Sequence, residues 1–216
     1  MTATTHPTFT TGPLHAAAYD AMTHDPEHPT VRASYAALST AIAGQWNGLR
    51  HAGFEFEASS NDPYASSWAM LEDAHAGGIR VFTDGGASLP SDHPMQAAPT
   101  VWGCIGAEAI GFRTMNDVFR GVHDVMGHAA ARREGLIASF GPVGEYNAWV
   151  QHSRSMPSMA YLALWCETRG QNAWTNFHAN HAELPLAERP YVDQRAGIPS
   201  LPLVPTPLIV IPGSAS

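Results

Sequence analysis

The chain has 216 residues, a formal net charge of -8, 44% hydrophobic and only 14% charged residues. That composition is too apolar for a disordered chain, and its length suits one domain with its own core. An acidic balance without basic clusters excludes nucleic acid or an anionic membrane as the main partner. All eleven basic residues are Arg, so Schiff-base and P-loop lysine chemistry is excluded, while His reaches 12.

Residues 1–28 read as a polar, flexible N-terminal arm. The first thirteen carry no basic start followed by an apolar stretch, the pattern of a signal peptide. From Val31 to His51, the apolar residues Tyr35, Leu38, Ile42, Trp46 and Leu49 step by three or four, which predicts a helix. Phe54 to Glu57 alternates and predicts a short strand. Asn61-Asp62-Pro63 reads as a helix start, with Tyr64, Trp68 and Leu71 on one face and Gly77-Gly78 as the stop. Ile79 to Thr83 predicts a second strand, and residues 84–99 a loop.

Helical spacing returns from Met115 to about Ala131, then over Gly144–His152 and from Pro157 to about Trp174. The expected fold is mainly α with a small sheet: a single helical catalytic domain over residues 29–184. Residues 185–216 form a proline-rich tail, expected to dock on a neighbouring copy as a homo-oligomer contact. The apolar stretch Leu201–Ile211 is too short and too broken by proline to cross a membrane. Cys104 and Cys166 make neither a disulfide framework nor a zinc site, and both read as reduced thiols in a cytoplasmic protein.

Chemistry concentrates in Val122-His123-Asp124-Val125-Met126-Gly127-His128. Neutral imidazole is a good ligand for iron, zinc or copper. Spacing alone is weak, because 12 histidines give about one such pair by chance. Apolar flanks (Phe119, Val122, Val125, Met126) put the pair near the core. On a straight helix, residues i and i+5 lie roughly 140° apart. The two imidazoles therefore meet only if the helix ends or bulges between them, and Gly127 is placed to permit that. Two carboxylates follow in apolar helices, Glu145 and Glu167, where an unpaired charge is costly. Two histidines and one carboxylate make the facial triad of non-haem Fe(II) oxygenases, and the same set serves catalytic zinc. The H-E-x-x-H spacing of zinc proteases is not matched.

The string His123-Asp124-x-x-Gly127-His128 resembles the iron motif of the aromatic amino acid hydroxylases. In that family the carboxylate ligand follows some forty residues later, on a helix that Met156-Pro157-Ser158-Met159-Ala160 through Trp165-Cys166-Glu167 resembles. The resemblance implies His123, His128 and Glu167 as iron ligands, with O2 as cosubstrate and a pterin as reductant. It covers only about residues 115–175, and the family's T-P-E-P-D lead-in is replaced by Thr114-Met115-Asn116-Asp117-Val118. A second string is similar to an uncharacterised phage and mobile-element family: His123-Asp124…Gly127-His128…Gly144-Glu145-Tyr146-Asn147-Ala148-Trp149…His152…Glu167-Thr168-Arg169-Gly170-Gln171-Asn172. It implies that Glu145, His152, Glu167 and Gln171 share one site, and supplies no activity.

The expectation is a monooxygenase with Fe(II) on His123, His128 and Glu167, acting on a small molecule in an aromatic-lined pocket. Glu145 and His152 would orient ligands or move protons. Asp124 would fix an imidazole or contact a cosubstrate. The plainer reading of Glu145 is a carboxylate paired with Arg154, and a dinuclear site drawing on Glu145 and His152 is the more elaborate one. A zinc hydrolase on the same ligands is the enzymatic alternative, and an accessory protein with a structural metal the non-enzymatic one. His178 and His181 read as surface residues.

Overall fold

The computed structural model describes residues 6–83 and 89–200. It is mainly helical, with one two-stranded sheet. Helix α2 (Pro29–His51) is the central element. Pro29 opens it, and the His28 ring accepts the Thr30 N–H at its first turn. Its buried stripe is Val31, Tyr35, Leu38, Ile42 and Trp46, the spacing visible in the sequence.

The sheet packs on the end of that stripe. Strands β1 (Glu55–Ser59) and β2 (Gly78–Phe82) run parallel, with Phe56 opposite Ile79. Helix α3 (Ser67–Ala76) is the crossover between them, since parallel neighbours cannot be joined by a tight turn. Phe56 stacks on Trp46 with ring centroids 4.4 Å apart. Helix α3 starts later than the sequence suggests. Ser66 caps it, accepting the Ala69 N–H, while Asp62 instead closes a turn onto Tyr64. Trp68 consequently faces outward, half exposed beneath the Arg132 guanidinium at 3.9 Å. Gly77 ends the helix at φ 100°, a conformation that only glycine adopts without cost.

Helix α4 (Met115–His123) begins with a reciprocal cap. Thr114 accepts the Asp117 N–H, and Asp117 accepts the Thr114 N–H. It seats on the sheet at Gly121, where a Cβ would meet Val81 at 3.0 Å and Phe56 at 3.1 Å. The helix then continues as a π-helical turn, Asp124–Ala129, and a short α5 (Ala130–Arg133). Helix α6 (Pro142–Ser153) packs across that π turn. Helix α7 (Tyr161–Trp165) leads into a second π turn, Cys166–Gly170, and then α8 (Gln171–Phe177).

The proposed N-terminal arm is corrected. Residues Pro7–Asp20 form helix α1, which packs along α8, with Ala16, Ala18 and Tyr19 fully buried. Arg169, itself buried, reaches Thr8 and Thr11 at 3.0 and 3.1 Å and ties α1 to the second π turn. The segment 192–196 also returns to this helix: Arg195 donates to the Tyr19, Asp20 and Met22 carbonyls. Half of the expected oligomer-forming tail, residues 201–216, lies outside the described residues. Among the described residues, no helix is long and apolar enough to cross a membrane.

Candidate metal centre

The i, i+5 spacing of His123 and His128 is accommodated by the anticipated irregularity. A π turn hydrogen-bonds i to i+5, so it stacks these two residues along one face where an α-helix would splay them. Their ring centroids are 5.5 Å apart. Gly127 serves this in a specific way. Its φ is ordinary, but a Cβ there would sit 2.9 Å from the Ala148 carbonyl and 3.0 Å from the His123 ring. Glycine thus lets α6 close onto the π turn. That approach brings Glu145, one turn into α6, to the imidazoles. One ligand atom each from His123, His128 and Glu145 lie within 4.8 Å of one another, a group that could hold a metal ion.

Hydrogen bonds orient both rings for that task. The His128 Nδ1 lies 3.1 Å from the Ala138 carbonyl, which can only accept. Nδ1 therefore carries a proton, and Nε2 points to Glu145 Oε2 at 3.6 Å. His123 is oriented through a longer chain of hydrogen bonds. Ser155 donates its hydroxyl proton to the His152 carbonyl, so its oxygen accepts from Gln45 Nε2 at 2.9 Å. That fixes the amide of Gln45, whose Oε1 lies 3.0 Å from His152 Nε2. His152 must donate there, which leaves its Nδ1 to accept from His123 Nδ1 at 2.9 Å. His123 is thus protonated at Nδ1, and its buried Nε2 is a bare lone pair with no partner. Two imidazoles held through Nδ1 with Nε2 turned toward a carboxylate suit a divalent ion, which would satisfy the orphan nitrogen of His123 and take the place of a proton between His128 and Glu145.

Electrostatics treat the two rings differently. Burial, reinforced by the neighbouring rings of His152 and His128, pushes His123 well below the usual imidazole range. Burial pushes His152 down to about 3, so both members of the relay stay neutral. Burial also acts to lower His128, but Glu145, Asp124 and the Ala138 carbonyl together outweigh it and raise that imidazole, so without an ion the Glu145 carboxylate favours a proton on it. Burial lifts Asp124 to about 6, against the opposing pull of His128 and Arg120.

The three groups open onto a cavity of about 800 Å³, whose wall includes Tyr64, Phe82, Phe119, Phe140 and Tyr191 as well as Asp124, Glu167 and Gln171. Asp124, Glu145, Glu167 and Gln171 therefore share one space, with His152 directly behind His123. Glu167 lies on the second π turn and is not in the group of three. Its Oε1 accepts from the Tyr35 hydroxyl and faces His93 Nε2 at 3.3 Å. The carboxylate that the structure brings to the imidazoles is Glu145, nearer in sequence than the hydroxylase-like motif implies. Nor is Glu145 the partner of Arg154, which binds Glu134 at 2.8 Å.

Sequence reasoning missed Gln45, Tyr35 and His93. Gln45 lies off the buried stripe of α2, and His93 sits in a Pro/Ser-rich loop, so neither carried a signal. His181 is buried against Trp174 rather than on the surface. Cys104 and Cys166 are buried, and burial raises them to about 11 and about 12, which removes both as nucleophiles. No protein-family model matches the chain, and neither a curated protein nor a solved structure matches it.

Proposed function

We propose that the chain is a mononuclear non-haem Fe(II) enzyme that hydroxylates a small molecule with O2. Its ligands would be His123, His128 and Glu145. The observation that carries this reading is the convergence of two oriented imidazoles on one carboxylate: His123 keeps a buried, unpartnered Nε2, and His128 turns its Nε2 to Glu145 at 3.6 Å. Such a set binds one face of a divalent ion and leaves the opposite positions to exchangeable ligands. When bound, the ion supplies O2 activation beside the substrate. In hydroxylation one oxygen atom enters a C–H bond and the other leaves as water. Two electrons and two protons must therefore come from a reductant, for which the sequence resemblance suggests a pterin.

The residues of the chain have separate tasks. Ala138 and the His152–Gln45–Ser155 relay hold the two rings in their ligating tautomers. Glu145 supplies the single negative charge that accompanies two neutral imidazoles. The aromatic side chains of the cavity wall exclude water around an apolar substrate body. Asp124, held near neutrality by burial, is the group on the wall able to hold or release a proton.

That same Asp124 favours a second reading. An acid beside an ion held by two histidines and a carboxylate can act as the base of a zinc hydrolase. The grouping of Glu145 instead of Glu167 also removes the third residue of the hydroxylase-like pattern. The separating experiment is elemental analysis of protein purified without added metal, followed by oxygen-uptake measurements with Fe(II) and a reductant. Iron near one equivalent with reductant-dependent uptake supports the oxygenase. Zinc near one equivalent with no uptake rejects it in favour of hydrolysis.

A further inference from the structure

The cavity that meets the His123 group also carries a second polar centre, which the metal reading leaves unused. Glu167 is buried to 1% side-chain exposure, and His93 beside it to 0%. The His93 Nδ1 accepts the Met95 N–H at 3.2 Å, so its Nε2 carries the proton and faces Glu167 Oε1. The Tyr35 hydroxyl donates to the same oxygen. Oε1 therefore has one hydrogen-bond donor, Tyr35, since the His93 contact falls outside hydrogen-bond geometry, while Oε2 of this cavity-lining residue is buried with none.

A buried carboxylate is costly unless its charge is met. His93, neutral in this tautomer, supplies no charge, and among the described residues no guanidinium lies within ion-pair distance of Glu167. Two more buried atoms of the same wall lack partners, Gln194 Oε1 and Gln171 Nε2.

We propose that Glu167 Oε2 is the recognition point for a protonated amine, so that the substrate class is a small amine with an apolar body. An ammonium offers three donors, which suits a bare carboxylate oxygen. A second metal ion suits it less. The nitrogen beside Glu167 carries a proton, and the only set of three or more ligating side chains among the described residues is the His123 group. The inference rests on the metal reading only in giving this cavity to the substrate.

The test is calorimetric binding of matched probes to the full chain: benzylamine, phenethylamine and hexylamine, each against the alcohol of the same skeleton. At least one amine is expected to bind ten-fold or more tightly than its alcohol. Glu167→Gln, which keeps an acceptor for Tyr35, is expected to erase that preference. Comparing the probes on the unaltered chain decides the matter even if this variant misfolds. Amines that bind no better than alcohols, or a preference that survives Glu167→Gln in folded protein, would overturn the proposal. Zinc titration supplies the other arm. One equivalent is expected in both proteins, whereas two falling to one in Glu167→Gln would make Glu167 a ligand to a second ion. His123→Ala separates the two readings, because it should lose the metal and keep the amine preference.

Discussion

Replacing His152 by Phe tests the relay behind the metal centre. The substituted ring keeps most of the volume and the stacking on Phe119, whose centroid is 6.0 Å from that of His152. What it removes is the acceptor for His123 Nδ1–H, 2.9 Å away. Two consequences follow. A buried N–H loses its partner, which costs about 1–3 kcal/mol of stability. The His123 ring also loses what holds its proton on Nδ1, so a tautomer with the proton on Nε2 competes with metal binding. Loss of such an outer partner typically weakens metal affinity about 10–100-fold, or about 1.4–2.7 kcal/mol. The assay is competition for Zn2+ or Co2+ against a chromogenic chelator, with thermal melts of the metal-free and loaded protein. Gln45→Leu should shift affinity the same way by less, because Gln45 is half-exposed and water can replace its oxygen. The double variant should bind no more weakly than His152→Phe alone, since Gln45 acts only through His152. Unchanged affinity in folded His152→Phe would refute the tautomer argument.

Three further outcomes are expected. Glu145→Gln should abolish tight metal binding, whereas Glu167→Gln should retain one equivalent by elemental analysis. Gly127→Ala should destabilise the fold by about 1–3 kcal/mol in denaturant titration, because its methyl must displace Ala148 or His123; an unchanged midpoint would contradict the close approach of α6. His15 accepts the Trp165 indole N–H at 2.9 Å, and burial holds it down at about 4. The unfolded chain therefore binds the extra proton between pH 6.5 and 4, and the stability held above pH 6.5 is lost as pH falls through that window. His15→Gln, which still accepts from Trp165, should reduce that loss by on the order of 2 kcal/mol in equilibrium unfolding.

Much of the architecture was legible because it follows from periodicity. The stripe of α2, both strands and the α4–α6 region announce themselves by apolar spacing. The first π turn was legible for a geometric reason: a useful i, i+5 histidine pair demands an irregular helix, and Gly127 marked the place. Helix α1 was not legible. Pro7, Gly12, Pro13 and its threonines give it poor helix propensity, and it persists by packing Ala16, Ala18 and Tyr19 under α8. The second π turn had no comparable pair to betray it. The choice between Glu145 and Glu167 was equally hidden. Both acids sit in apolar helices after the histidines, and only the crossing of α6 over the π turn at Gly127 decides which one arrives. Gln45 and His93 owe their places to chain segments more than 25 residues from their partners.

The most direct measurement is an anomalous-scattering map from crystals of the metal-loaded protein. A single peak about 2.0–2.2 Å from His123 Nε2, His128 Nε2 and a Glu145 carboxylate oxygen is predicted. A peak bound by Glu167 in place of Glu145, or none beside the two imidazoles, would contradict the account.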